Sequence, residues 1–173
     1  FDISQNLKAG FLGRFQYNLS GGKIFNPLPY PLLKVHIGNE TLFYTTAAYN
    51  LMNNFEFVSD TYASFKYQHF FEGYIFNNIP LMKKLKWRLI TTGNILFGSA
   101  THENFQMIPV TDQNGEMIPS FNSLDIKKPY IELGYGIENI FKFVRVDAFH
   151  RLSYLNNPEA SKFGVKISFQ IIL

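Results

Sequence analysis

The chain has 173 residues, 46% of them hydrophobic, with 19 Phe, 10 Tyr and 1 Trp, and no Cys, so disulfides and thiolate metal sites are excluded. Its 16 Lys plus Arg against 13 Asp plus Glu give +3, and the basic residues are scattered, which makes it a poor nucleic-acid binder. No run approaches the roughly 18 apolar residues of a helical membrane span. Barrel strands instead hide their apolar residues in alternation.

In chain order, residues 7–20 read as a strand with Phe11, Phe15, Tyr17 and Leu19 opposite Arg14, Gln16 and Asn18. Residues 21–54 form an extended connection stiffened by Pro27, Pro29 and Pro31. Its aromatics Phe25, Tyr30, Phe43, Tyr44 and Tyr49 call for burial, so a structured loop is expected. The second strand, 55–76, sets Phe57, Ala63, Phe65, Tyr67 and Phe71 against Glu56, Asp60, Ser64, Lys66 and Gln68. Residues 77–84 are a short link to the third strand, 85–98, where Leu85, Trp87, Leu89, Ile95 and Phe97 oppose Lys86, Arg88, Thr92 and Asn94.

After a long polar loop, 99–129, the fourth strand, 130–137, alternates Ile131, Leu133, Tyr135 and Ile137 with Glu132, Gly134 and Gly136. A tight turn at 138–141 leads to the fifth, 142–154, with Val144, Val146, Ala148, Leu152 and Tyr154 on one face and Arg145, Asp147, Arg151 and Ser153 on the other. Asn156, Asn157 and Pro158 mark the next turn. The sixth strand, 163–173, places Val165, Ile167, Phe169 and Ile171 opposite Gly164, Lys166, Ser168 and Gln170. Its length matches the roughly 9–11 residues with which a tilted strand crosses a bilayer, and Phe169, Ile171 and Leu173 form the expected C-terminal strand signal.

The fold class expected is all-β, an antiparallel transmembrane β-barrel. Counted back from Leu173, the short links fall on the periplasmic side and the three longer connections outside, as in single-chain outer-membrane barrels. A soluble sandwich or lipocalin would also alternate, but with shorter strands and a more charged solvent face. Aromatic girdles are expected from Phe76, Trp87 and Phe141 at one end and Tyr62, Tyr130 and Tyr154 at the other. Eight strands is the usual minimum for closure, so the whole of residues 1–173 is expected to be the C-terminal part of one barrel domain, closed by an N-terminal remainder.

Arg145, Asp147 and Arg151 share one strand face, with Glu56 and Asp60 on another strand as further members of a lumen cluster. Two readings stay open for them: a cluster that anchors the long loop, or a solvated face on which charges pair because they line water. His36, His69, His102 and His150 have no metal-ligand spacing. Ser59 and Asp60 lie about 30 Å along the chain from His69, and Ser153 does not share a face with His150, so no catalytic, cofactor-binding or metal-binding residue and no enzyme activity are expected.

The segments PLPYPLLKVHIGNET (27–41), AYNLMNNFEFVSDTYASFKYQHFFEGYIFNNIPLMKKLKWR (48–88) and PYIELGYGIENIFKFVRVDAFHRLSY (129–154) resemble a family of Bacteroidota outer-membrane proteins of uncharacterised function. That family has a carboxypeptidase-regulatory-like sandwich ahead of a large barrel. More distantly, GYGIENIFKFVRVDAF and NFEFVSDTY are similar to the end of the barrel in the BamA and TamA assembly superfamily. The resemblance implies the last six strands of a sixteen-stranded barrel, with residues 21–54 as the sixth extracellular loop. The Val-Arg-Gly-Phe loop tip of that superfamily is absent; VHIGNE, with His36, Gly38, Asn39 and Glu40, stands in its place, and the chain ends in Leu173 where an aromatic is usual. The implied function is envelope biogenesis, protein insertion or translocation at the bacterial outer membrane, with outer-membrane lipid and other envelope proteins as partners. The alternative is a non-catalytic scaffold barrel that binds partner proteins through its loops.

Overall fold

The computed structural model describes residues 1–111, 114–115 and 121–169, apart from the side chains of Leu81 and Met82. Its strands are β1 (Asp2–Lys8), β2 (Arg14–Lys23), β3 (Lys34–Val35), β4 (Phe57–Ser59), β5 (Thr61–Phe70), β6 (Arg88–Ser99), β7 (Asn122–Ser123), β8 (Tyr130–Ile140), β9 (Val144–Arg151) and β10 (Phe163–Phe169). Two short helices, α1 (Pro80–Leu85) and α2 (His102–Gln106), lie in connections. No described helix is long and apolar enough to cross a membrane. The protein is all-β: β1-β2-β5-β6-β8-β9-β10 make one seven-stranded sheet, antiparallel throughout, and β3-β4-β7 a small second sheet.

Several predicted boundaries need correction. Residues 7–20 are not one strand but the end of β1, a turn and most of β2, so the main sheet has seven strands rather than six. Gly13 sits in that turn at φ +94°, and a Cβ there would meet the Phe70 carbonyl oxygen at 2.0 Å, so the chain reverses where only glycine fits. The predicted strand 55–76 breaks at Asp60, whose amide bonds the Ser99 carbonyl while β4 leaves to pair with β3 and β7. Its last residues, 71–76, are turn and 3-10 helix, and residues 85–87 close α1 instead of opening β6. The strand from 130 continues to Ile140, and the next begins at Val144.

The alternation produces two unlike faces. One carries Ile3, Leu7, Leu19, Phe97, Leu133, Tyr135 and Val165, each between about two-fifths and a little over half exposed. The other carries Gln68, Asn94, Glu132, Asp147, Arg145, Arg151 and Lys166, all buried, because residues 24–56 lie across it. Burial is thus inverted relative to a water-soluble sheet, in which charged side chains stay out and apolar ones go in. The apolar cores are confined to the end of the sheet where the long connections gather: Tyr49, Met52, Phe57, Leu96, Leu124 and Tyr130 form one, and Leu33, Val58, Ile108 and Phe121 the other. Tyr62 and Tyr154 pack against the first, and Tyr130 is fully buried with its hydroxyl on Glu132, so the three tyrosines expected in an outer girdle turn inward instead.

Candidate functional site

A loop laid over a sheet carries backbone N–H and C=O groups that lose water and must find partners. Residues 24–56 find them on charged side chains of β5, β8, β9 and β10. Glu132 of β8, with no exposed surface, accepts the Asn50 and Leu51 backbone amides at 2.7 and 2.9 Å, and also the Asn94 side-chain amide and the Tyr130 hydroxyl. Arg151 of β9 forms a two-pronged pair with Glu56 (2.9 and 2.5 Å) and donates to the Leu51, Ser153 and Tyr154 carbonyls. Glu56 in turn accepts the Asn53 amide and the Asn157 side chain. Lys166 of β10 donates to the Asn39 and Thr41 carbonyls. Lys66 of β5 donates to the Ala47 carbonyl at 2.8 Å. The loop is therefore held at four places by charge-assisted bonds, the stronger kind of hydrogen bond.

A fifth contact is aromatic. Arg145 and Asp147, neighbours on one face of β9, close a two-bond pair at 2.7 and 2.8 Å that is buried on both sides. The ring of Tyr44 lies over the Arg145 guanidinium (4.3 Å) and stacks on Phe149 (5.8 Å, 11° between planes), while its hydroxyl accepts from Gln68, which accepts from Arg145. Burial pushes the Tyr44 hydroxyl up to about 12, against the opposing pull of Arg145, so the ring docks as a neutral donor and acceptor. Gly134 and Gly136 of β8 make room, since a Cβ at these positions would meet the Phe149 ring at 2.6 Å and the Asp147 carboxylate at 2.3 Å. The Gly-x-Gly pattern thus lets the side chains of β9 lie flat across its neighbour.

The predicted cluster resolves into separate parts. Arg145 pairs with Asp147 and Arg151 with Glu56, but Asp60 joins neither; it accepts the Thr101 amide and the Asn104 side chain, fixing the start of α2. Burial raises the Asp60 carboxyl, yet these donors together outweigh it and hold it below its ordinary value. Of the predicted loop tip, His36 is buried with Nε2 3.0 Å from the Ser59 hydroxyl and its ring edge-on to Tyr62. Its imidazole is driven down to about 3, by burial first and then by Lys34 and Lys66. Gly38 is wedged against the Met52 and Asn53 carbonyls, Asn39 is buried against Asn50, and Glu40 caps the Asn54 amide from an exposed position. Phe169 is exposed at the end of β10; Gln170, Ile171 and Leu173 lie outside the described residues.

Among the loop aromatics expected to be buried, Tyr49 is and Tyr30 and Tyr44 are half-buried, whereas Phe25 and Phe43 are exposed, Phe43 alongside Phe169 at the edge of β10. Glu132 and Lys166 were not singled out from the sequence as anchors. Their signal was a lone charge at the polar parity of an otherwise apolar strand. Between the loop and the first strands lies a cleft of about 570 Å³, lined by amides, hydroxyls, Asp2 and Lys66. His69 and His150 stand on the apolar face and His102 on α2; among the described residues no three His, Asp or Glu side chains are grouped to hold a metal ion.

Fold and site together define an all-β protein whose antiparallel sheet carries an anchored loop on its charged face. The chain belongs to the family described as "Family of unknown function (DUF5686) C-terminal domain", whose model matches residues 1–106. No curated protein and no solved structure matches it.

Proposed function

We propose that this chain is the C-terminal part of a transmembrane β-barrel in the bacterial outer membrane, and that the parent protein works in envelope biogenesis, in the insertion or translocation of other proteins. The observation that carries the membrane reading is the inverted burial: Glu132, Arg145, Asp147 and Arg151 are hidden while Leu133, Tyr135 and Val165 face outward on the same strands. In lipid that arrangement satisfies every group, since the apolar face meets hydrocarbon and the charges line a polar interior. The sheet is open between β1 and β10, and a barrel needs the N-terminal remainder to close it. In this reading the parent is a Bacteroidota protein with a carboxypeptidase-regulatory-like domain ahead of a sixteen-stranded barrel, distantly similar to the BamA and TamA superfamily.

The biogenesis role rests on that distant resemblance together with a long loop fixed inside the sheet by the Arg-x-Asp strand. A scaffold barrel is the alternative, favoured by how many charged contacts hold the loop still. Single cysteines at Val146, Val165 and Ile167 should react with a lipid-soluble maleimide, and those at Gln16 and Asn18, which line the open cleft on the polar face, only with a water-soluble one. A mixed pattern would exclude the barrel. Depletion of the parent should lower other outer-membrane proteins or surface lipoproteins; an unchanged envelope would leave the scaffold.

A further inference from the structure

Three connections of the main sheet meet at one end: residues 9–13, 71–87 and 141–143 join β1–β2, β5–β6 and β8–β9, and pairing of Arg14 with Phe70 and of Arg88 with Glu138 puts them side by side. Two kinds of exposed residue gather there. Phe11 and Phe141 are 75% and 80% exposed, and Tyr74, Ile79 and Leu85 nearly half, with Phe11 and Tyr74 in ring contact at 5.5 Å. Beside them Lys8, Lys83, Lys84, Lys86 and Lys142 are exposed and form no ion pair among the described residues. Of the two carboxylates among the described residues at this end, Glu138 is buried facing Arg88 and Glu72 is exposed. The opposite end differs: its long connections bury their apolar residues in the two clusters.

We propose that this end is a docking surface for anionic phospholipid headgroups, with Lys83 and Lys84 of α1 and Lys86 just after it as the principal contact. The inference rests on the membrane reading above and adds the leaflet and the lipid chemistry. Water alone does not suit five large apolar tips in one patch, and a protein partner would be expected to meet them with an apolar face, whereas lysines interleaved with aromatics match the boundary between acyl chains and phosphates. The ring edges and the Leu85 and Ile79 side chains reach the acyl boundary while the lysine stems extend to the charged headgroups. With no carboxylate paired to them among the described residues, the ammonium groups are available to phosphate. Lys86, at φ +55° after the last turn of α1, ends the helix and turns the chain toward Trp87, just ahead of β6.

The test uses the full-length protein folded in vesicles, with a fluorophore on Asn78→Cys quenched by brominated phosphatidylglycerol or brominated phosphatidylcholine. The expected result is a severalfold preference for phosphatidylglycerol, weakened by salt and abolished in Lys83→Gln/Lys84→Gln/Lys86→Gln, since each lysine near an anionic surface contributes up to about fivefold. Lys127→Gln/Lys162→Gln, at the other end, should leave it intact. Heat-resistant mobility of each variant on a gel establishes that it is folded. Equal quenching by the two lipids, or a preference that survives the triple substitution, overturns the proposal while the barrel stands. Failure of either lipid to quench the probe at all instead removes the membrane reading on which it rests.

Discussion

Replacing Glu132 with Gln should release the loop from the sheet without disturbing the sheet itself. The carboxylate receives four donors, two at each oxygen: the Asn50 amide and Asn94 side chain at one, the Leu51 amide and Tyr130 hydroxyl at the other. A glutamine keeps one accepting oxygen and turns its NH2 toward two of these donors, which then have neither water nor acceptor. Each such buried donor costs roughly 1–3 kcal/mol, so the loss is about 2–6 kcal/mol. It should lie in the lower half of that range, because an amide escapes the desolvation of a buried carboxylate. Native-state hydrogen exchange on the folded full-length protein reads it directly: Asn50 and Leu51 should exchange about 30-fold or more faster, while amides of β6 and β9 keep their protection. Unchanged protection of Asn50 and Leu51 would refute the claim that Glu132 holds the loop.

Asp147→Ala strands the Arg145 guanidinium, which is 1% exposed, and should lower stability by about 3–5 kcal/mol, seen as poorer assembly or loss of heat-resistant mobility. Asp112→Ala and Glu116→Ala, outside the described residues, serve as comparison, and equal behaviour of all three would return Asp147 to a solvated charge. His36 gives the loop a pH dependence. The unfolded chain takes up its proton near pH 6.5, but the folded one refuses it until about pH 3, so loop stability is full above pH 6.5 and falls by roughly 1.4 kcal/mol per unit as pH drops through that window. Limited proteolysis of residues 24–56 between pH 7 and 4 should accelerate in the native protein and less in His36→Gln; parallel profiles would dismiss the effect.

The period-2 pattern alone determined strand identity and face for β5, β6, β8, β9 and β10, because alternation in a strand fixes which side each side chain takes whatever it packs against. Arg145, Asp147 and Lys166 could therefore be assigned to one face from the sequence. It was blind to β1, whose Ile3 and Leu7 are too few against Asp2, Ser4, Asn6 and Lys8 to stand out, and to the turn at Gly13, whose need for glycine comes from Phe70 far along the chain. The pairing of Arg151 with Glu56, the four donors on Glu132 and the docking of Tyr44 on Arg145 bring together residues as many as 101 positions apart. Spacing carries no record of such contacts, since they depend on which strand neighbours which and on where the loop lies. Tyr130 shows the limit most plainly: its aromatic character and its position at the strand's end suited an outer girdle, but it shares the parity of Glu132, and its place beneath the loop, with a buried carboxylate for its hydroxyl, was decided only when the chain folded over the sheet.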